Sequence, residues 1–190
     1  MKNALILVSG MPATGKTTFA SWLSKELRAP LVCYDNIKKK TFEILNRNIN
    51  NLEQNNLFGA VAYDFFLFSI EEVMTSSTLL IAEYFFSDQM KDTFHNLITK
   101  YQYETITVHM DCPVEVAHQR FHERNLNSLS HNSIRPTEIP ITQFTEVTKQ
   151  NKDFRFGNRF IYVDTSDFSA VSYDNILAEI KCHLGEFVCV

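Results

Sequence analysis

The chemistry-bearing residues of this chain begin at its tenth position. Gly10, Met11, Pro12, Ala13, Thr14, Gly15, Lys16 and Thr17 match the pattern G-x-x-x-x-G-K-S/T, with Thr18 next in line. Gly10 and Gly15 allow unusual backbone dihedrals and close approach, so successive N–H groups can face a polyphosphate at the positive end of a following helix. Lys16 is placed to reach the β and γ phosphates, and Thr17 to offer a hydroxyl to Mg²⁺. The competing reading, a glycine turn feeding a helix with a solvated lysine, does not account for the complete pattern between an apolar run and a helical one.

A phosphate loop names a nucleotide without naming a reaction, so the other polar residues must speak. Asp35 follows the apolar run LVCY at 31–34, on the edge where open α/β sheets bind ligands. Its carboxylate could take a proton from a hydroxyl or orient one, and it could equally cap the helix that begins just after it. Glu83 lies within IAEYFF, where an acid in an apolar strand needs a partner: Mg²⁺ through water, an acceptor molecule, or a basic side chain. Arg120 and Arg124 share a helix face, and Arg135 follows in a polar stretch; a lid carrying them could neutralise a phosphoryl group in flight and exclude water. His118 and His122 also have metal-like i, i+4 spacing, but without a third ligand signature they read as a polar helix face. Lys38, Lys39 and Lys40 spread around a helix and face solvent. The aromatics Phe58, Tyr63, Phe65, Phe66 and Phe68 flank the acceptor side and read as core, Tyr63 serving either purpose. In Asn151-Lys152-Asp153-Phe154 the fourth place of an Asn-Lys-x-Asp guanine motif is not Asp, which counts against a GTP switch.

The elements that position these residues alternate regularly. Ala4–Val8 is a continuous apolar run, as expected of a parallel strand buried on both faces. A helix from Lys16 places Phe19, Leu23 and Leu27 on one face and is stopped by Pro30. LVCY is a second strand, and Asp35 opens a second helix with Ile37, Phe42 and Leu45 inward. The Asn-rich stretch 46–56 reads as a loop or helix end, 57–74 as a long aromatic helix, 78–86 as a third strand and 88–101 as a helix. ETITVHM is a fourth strand, closed by Asp111-Cys112-Pro113; a helix from Val114 to Arg124 then gives way to polar chain. RFIYVDT at 159–165 is a fifth strand and YDNILAEIKCHL a last helix ended by Gly185. Five strands with helical crossovers define an α/β domain of three layers, α/β/α, around a five-stranded parallel sheet. Residues 1–190 form a single domain with a lid segment at about 120–140.

Composition bounds the reading. The 190 residues are 45% hydrophobic and 21% charged, enough for one sizeable core and incompatible with disorder. Eighteen Lys plus Arg against 22 Asp plus Glu give a net charge of −4, which argues against duplex nucleic acid and anionic membrane as partners. The apolar runs are strand-sized, and the N-terminal one is too short for a secretory signal, so a cytoplasmic protein is expected. Cys33, Cys112, Cys182 and Cys189 lack metal-type spacing and are expected to be reduced thiols.

The chain resembles the small P-loop kinases of the nucleoside and nucleotide kinase-like group. That group includes shikimate and gluconate kinases, polynucleotide 5′-hydroxyl kinases, chloramphenicol phosphotransferase and zeta toxin, and its members often carry the label AAA-type ATPase domain. The resemblance runs through GMPATGKTT, YDNIK, LLIAEYFF, VHMDCPVEVAHQRFHER and YVDTSDF, nearly the whole chain. It implies the P-loop nucleoside triphosphate hydrolase fold, ATP and Mg²⁺ as cofactors, and transfer of the γ-phosphoryl to a hydroxyl of a small-molecule acceptor. By the same resemblance Asp35 is the acid that activates the hydroxyl, Arg120 and Arg124 belong to the lid region, and the loop from Asp164 to Asp167, with Thr165, lies near the adenine. Lys16 then serves catalysis as well as binding, Arg120 also touches the nucleotide, and Thr17 and Glu83 serve the metal. Two departures bear on the acceptor. Lys38 stands where relatives often keep Arg in Asp-x-x-Arg, which weakens a bidentate clamp on an anion, and Tyr84-Phe85-Phe86 is less polar than in some relatives. Alternatives are a polynucleotide 5′-hydroxyl kinase, a zeta-toxin-like sugar-nucleotide kinase, and an ATP-binding module or ATPase without transfer.

Overall fold

The computed structural model describes residues 3–45, 52–127, 139–151 and 154–185. Strands β1 (Asn3–Gly10), β2 (Leu31–Cys33), β3 (Leu79–Glu83), β4 (Tyr103–Asp111) and β5 (Arg159–Asp164) form one parallel sheet in the order β2-β3-β1-β4-β5. Helices α1 (Lys16–Leu27), α2 (Tyr34–Leu45), α3 (Leu52–Met74), α4 (Lys91–Tyr101), α5 (Val114–Asn127), α6 (Ile141–Thr148) and α7 (Tyr173–His183) connect and flank the strands. The chain leaves β1 toward β2 on one side and leaves β4 toward β5 on the other. That reversal opens a crevice at the carboxyl ends of the strands, where open α/β sheets take their ligands.

The period-2 alternation of β1 explains the layers. Leu5 and Leu7 point to one face and pack with Ala62, Phe66 and Ile70 of α3 and Phe94 of α4. Ile6 and Val8 point to the other and meet Phe19, Ala20 and Leu23 of α1 with Ile176 and Ile180 of α7. Because both faces are covered, β1 reads as an unbroken apolar run. A third cluster joins Met11 of the glycine loop to Cys112, to Ala117 and Phe121 of α5 and to Phe144 of α6. It ties the glycine loop to α5 and α6.

The structure departs from the sequence expectations at several places. Arg28, in the left-handed region at φ 50°, ends α1 by donating its N–H to the carbonyls of Ser24 and Lys25, so the helix stops before Pro30. Helix α3 starts at Leu52, inside the Asn-rich stretch; residues 46–51 of that stretch lie outside the described residues. Strand β2 ends at Cys33 and Tyr34 already belongs to α2, while β3 ends at Glu83, leaving Tyr84–Phe86 in the turn beyond it. Within the expected lid, residues 120–127 are helical and 128–138, with Arg135, are outside the described residues; α6 lies just past the lid and has no counterpart among the helices the sequence predicts. Cys182 is disulfide-bonded rather than reduced, whereas Cys33 and Cys112 are free thiols. Phe65 and Phe68 are exposed rather than core, Tyr63 is half-buried, and Phe58 and Phe66 are buried. Among the described residues no helix is long and apolar enough to cross a membrane.

Candidate active site

The glycine loop is held by its two strand neighbours. Gly10, at φ 149°, is paired with Met110 of β4, and a Cβ there would lie 2.1 Å from the Met110 carbonyl oxygen. Gly15, at φ 84°, begins α1, and a Cβ there would lie 2.8 Å from the Phe168 ring. Ala13 also adopts a left-handed conformation, φ 66°, unusual for a residue with a side chain. The Thr14 hydroxyl, fully buried, donates to the Met11 carbonyl at 2.9 Å and closes the loop on itself. Helix α1 has no side-chain cap at its N-terminus and no acid in its first turn. Its leading N–H groups and dipole are therefore left for an anion, which suits the polyphosphate of ATP.

Lys16 lies beneath this loop and is nearly buried. Its Nζ donates to the Met11 carbonyl at 3.4 Å and stands 3.6 Å from Oε1 of Glu83. Glu83 is 1% exposed, and its second oxygen, Oε2, accepts a hydrogen bond from the Cys33 thiol at 2.8 Å. The β2–β3 register places Cys33 directly beside Glu83, and the β1–β3 register places Val8 on its other side. Burial, the Glu83 charge and the hydrogen bond to Glu83 push the Cys33 thiol up from 9.0 to about 12. Cys33 thus stays a protonated donor and is no nucleophile. Thr17, the hydroxyl expected to serve Mg²⁺, is half-buried in the first turn of α1, and Thr18 beside it is exposed. Glu83 thus faces Lys16 with one oxygen and the Cys33 thiol with the other.

Asp35 lies in the first turn of α2, two residues beyond the end of β2. The positive helix end favours a carboxylate there. Its charge is felt at the Cys33 thiol and at the Tyr84 hydroxyl, both of which it pushes upward after burial and nearer groups have done so. The Tyr34 hydroxyl donates to the Gly59 carbonyl at 3.2 Å, and the Tyr34 and Tyr84 rings lie 4.2 Å apart. Tyr63 stands 6.0 Å from Tyr84 and 6.4 Å from Phe66. An aromatic, hydroxyl-bearing wall therefore stands next to Asp35. Lys38 is half-buried, while Lys39 and Lys40 are exposed as expected.

Arg120 is committed elsewhere. Its guanidinium donates to the Thr165 carbonyl at 2.7 Å and the Ser166 carbonyl at 2.8 Å, and its centre lies 4.0 Å from the Phe168 ring centroid. Thr165, fully buried, donates its N–H and its hydroxyl to the Asp111 carbonyl, which fixes this loop to the end of β4. The structure thus joins Arg120 to Thr165, beside the glycine loop, where Phe168 packs on Gly15. The Arg124 guanidinium sits 5.6 Å from the Phe121 ring on the exposed side of α5. Cys33 and Phe168 escaped the sequence reading. No local spacing marks either, since Cys33 meets its partner through sheet register and Phe168 packs on Gly15 from the far end of the chain.

A family model described as an AAA domain matches residues 5–150, and the chain belongs to that family. No curated protein matches the chain. Among solved structures, a Chloroflexus aurantiacus protein provisionally named a kinase is 25% identical with a TM-score of 0.80, covering 97% of both chains. A gluconokinase from Sinorhizobium meliloti is 15% identical with a TM-score of 0.53, covering 97% of this chain and 93% of its own. A shikimate kinase from Acinetobacter baumannii, solved with shikimate, is 15% identical with a TM-score of 0.59, covering 100% of this chain and 97% of its own. The protein is a P-loop kinase-like α/β protein.

Proposed function

We propose that the protein is an ATP-dependent kinase that transfers the γ-phosphoryl group to a hydroxyl of an uncharged small molecule. The observation that carries this reading is the convergence at one sheet edge of the buried Lys16–Glu83 pair, the uncapped α1 N-terminus and Asp35 beside a tyrosine-lined wall. The N–H groups from Gly10 to Thr18 would cradle the phosphates, and Lys16 would exchange its contact with Glu83 for the β and γ oxygens. Mg²⁺, held by Thr17 directly and by Glu83 through water, would supply charge neutralisation across those oxygens. Asp35 would take the proton of the attacking hydroxyl, and Arg124 would face the transferring group. Arg120, Thr165 and Phe168 would lie at the base end of the nucleotide.

Phosphoryl transfer asks a protein mainly for positioning and charge stabilisation, which this arrangement offers. Incubation with γ-labelled ATP, Mg²⁺ and a panel of sugars, polyols, nucleosides, chloramphenicol-like alcohols and 5′-hydroxyl oligonucleotides tests the reading. Label is expected on one uncharged acceptor class and is expected to vanish in Lys16→Ala. Label appearing only as free phosphate would replace the kinase with an ATPase, and label on oligonucleotides would replace the small acceptor with a polynucleotide end.

A further inference from the structure

Helix α5 carries two imidazoles that the kinase reading leaves unused. His118 and His122 are four residues apart and therefore share one face. Their Nε2 atoms are 3.0 Å apart, and both point at one oxygen, the carbonyl of Ile139, at 2.7 Å and 3.0 Å respectively. Both rings are half-buried, and His118 packs on Phe144 of α6 with ring centroids 5.3 Å apart. Ile139 lies two residues before the start of α6.

Protons leave this triangle of two nitrogens and one oxygen crowded at best. With a hydrogen on both Nε2 atoms, both donate to the one carbonyl oxygen, and the two donor nitrogens stand only 3.0 Å apart. If only one carries a hydrogen, the other nitrogen turns a lone pair toward the carbonyl lone pairs at 2.7 or 3.0 Å. A hydrogen on neither sets three lone-pair bearers against one another. The doubly protonated arrangement alone is free of lone-pair repulsion, and it crowds two donors onto one acceptor. A cation above the triangle gives all three atoms one common partner, since each then directs a lone pair at positive charge.

We propose that His118 Nε2, His122 Nε2 and the Ile139 carbonyl oxygen bind a divalent transition-metal ion of the Zn²⁺ type, with water completing a tetrahedron. Imidazole nitrogen suits Zn²⁺, Ni²⁺ and Cu²⁺, whereas Mg²⁺ demands oxygen ligands and an octahedron, so this site is chemically distinct from the one at Thr17. Zn–N bonds of about 2.0–2.1 Å imply tetrahedral edges of about 3.3 Å, so the edges of 2.7 and 3.0 Å need to open by about 0.3 to 0.6 Å. Among the described residues no group of three His, Cys, Asp or Glu side chains is placed to hold a metal, and the third donor here is main chain. The ion would fasten α5, the helix that carries Arg120, to the chain entering α6.

Calorimetric titration of the full chain with ZnCl₂ in excess Mg²⁺ tests the site by binding alone, independently of any transfer activity. One saturable site is expected, weakened by at least about tenfold in His118→Gln and in His122→Gln, since even outer-shell partners of metal-ligating histidines are worth that much. His95→Gln and His183→Gln are expected to bind Zn²⁺ as the parent does. Circular dichroism and ATP binding establish that each variant is folded, and His122→Gln, which leaves the His118–Phe144 contact intact, guards against a packing defect. No saturable binding, binding that survives both substitutions in folded protein, or displacement by Mg²⁺ overturns the proposal.

Discussion

The Lys16–Glu83 pair lends itself to a double-mutant cycle in the nucleotide-free protein. The charged atoms are 3.6 Å apart, with side-chain exposures of 10% and 2%. At an effective dielectric of about 20, Coulomb attraction at that distance is worth about 5 kcal/mol. The cost of removing both charges from water offsets much of it. Lys16→Met keeps the aliphatic stem, and Glu83→Gln keeps an oxygen to accept from the Cys33 thiol, so the cycle isolates the charge pair. Each single variant strands a buried charge and is expected to lose ~3 kcal/mol, from the range for breaking one partner of a buried pair. The double variant is expected to lose less than the sum, with a coupling of ~1–3 kcal/mol. Urea unfolding followed by circular dichroism measures all four proteins. A coupling below ~0.5 kcal/mol, the scatter of independent sites, would refute the claim that Glu83 holds Lys16 in the resting loop.

Other perturbations follow from the same geometry. With its thiol pushed up from 9.0 to about 12 by burial and by Glu83, Cys33 should react with iodoacetamide far more slowly near pH 8 than an ordinary thiol; mass spectrometry should find Glu83→Gln faster, and equal rates would contradict the part assigned to Glu83. Because the folded state favours the neutral thiol, its contribution to stability is present below pH 9 and is lost as pH rises toward 12. Arg120→Lys should raise KM for ATP about tenfold with a smaller change in kcat, since lysine lacks the planar fork that binds two carbonyls over Phe168. Gly10→Ala should cost at least ~3 kcal/mol in thermal or urea unfolding, because its Cβ meets a backbone oxygen at 2.1 Å. Gly185→Ala, at φ 76° with nothing within 4 Å, should cost only ~1–2 kcal/mol.

What the sequence discloses and what it hides divide along a physical line. Strand β1 and the glycine loop are legible because their signals are local: an apolar run long enough for a strand, then glycines where the backbone turns and a lysine one residue into a helix. Helix α6 is hidden because it is only eight residues long, with Phe144 and Thr148 as its buried positions, too few to establish a period. The start of α3 is hidden because asparagines weaken helix propensity without forbidding a helix that is packed further along. Glu83 is legible as an acid needing a partner, yet its partners are set by register with β2 and by the fold of the glycine loop, which no local pattern records. Arg120 reads as a lid arginine by spacing, and its contacts with Thr165, Ser166 and Phe168 join it to the loop after β5, which no spacing along α5 records. The spacing of His118 and His122 is visible in the chain, but the carbonyl both address belongs to Ile139, beyond the end of their helix.

The most direct test of the account separates nucleotide binding from transfer at Asp35. ATP binding by calorimetry and label transfer to the identified acceptor should be measured on the parent protein and on Asp35→Asn. The account predicts binding within about twofold of the parent and transfer lowered by ~10²-fold or more, the magnitude of a lost general base. Unchanged transfer in Asp35→Asn would contradict the assignment of the proton acceptor and with it the proposed acceptor side of the site.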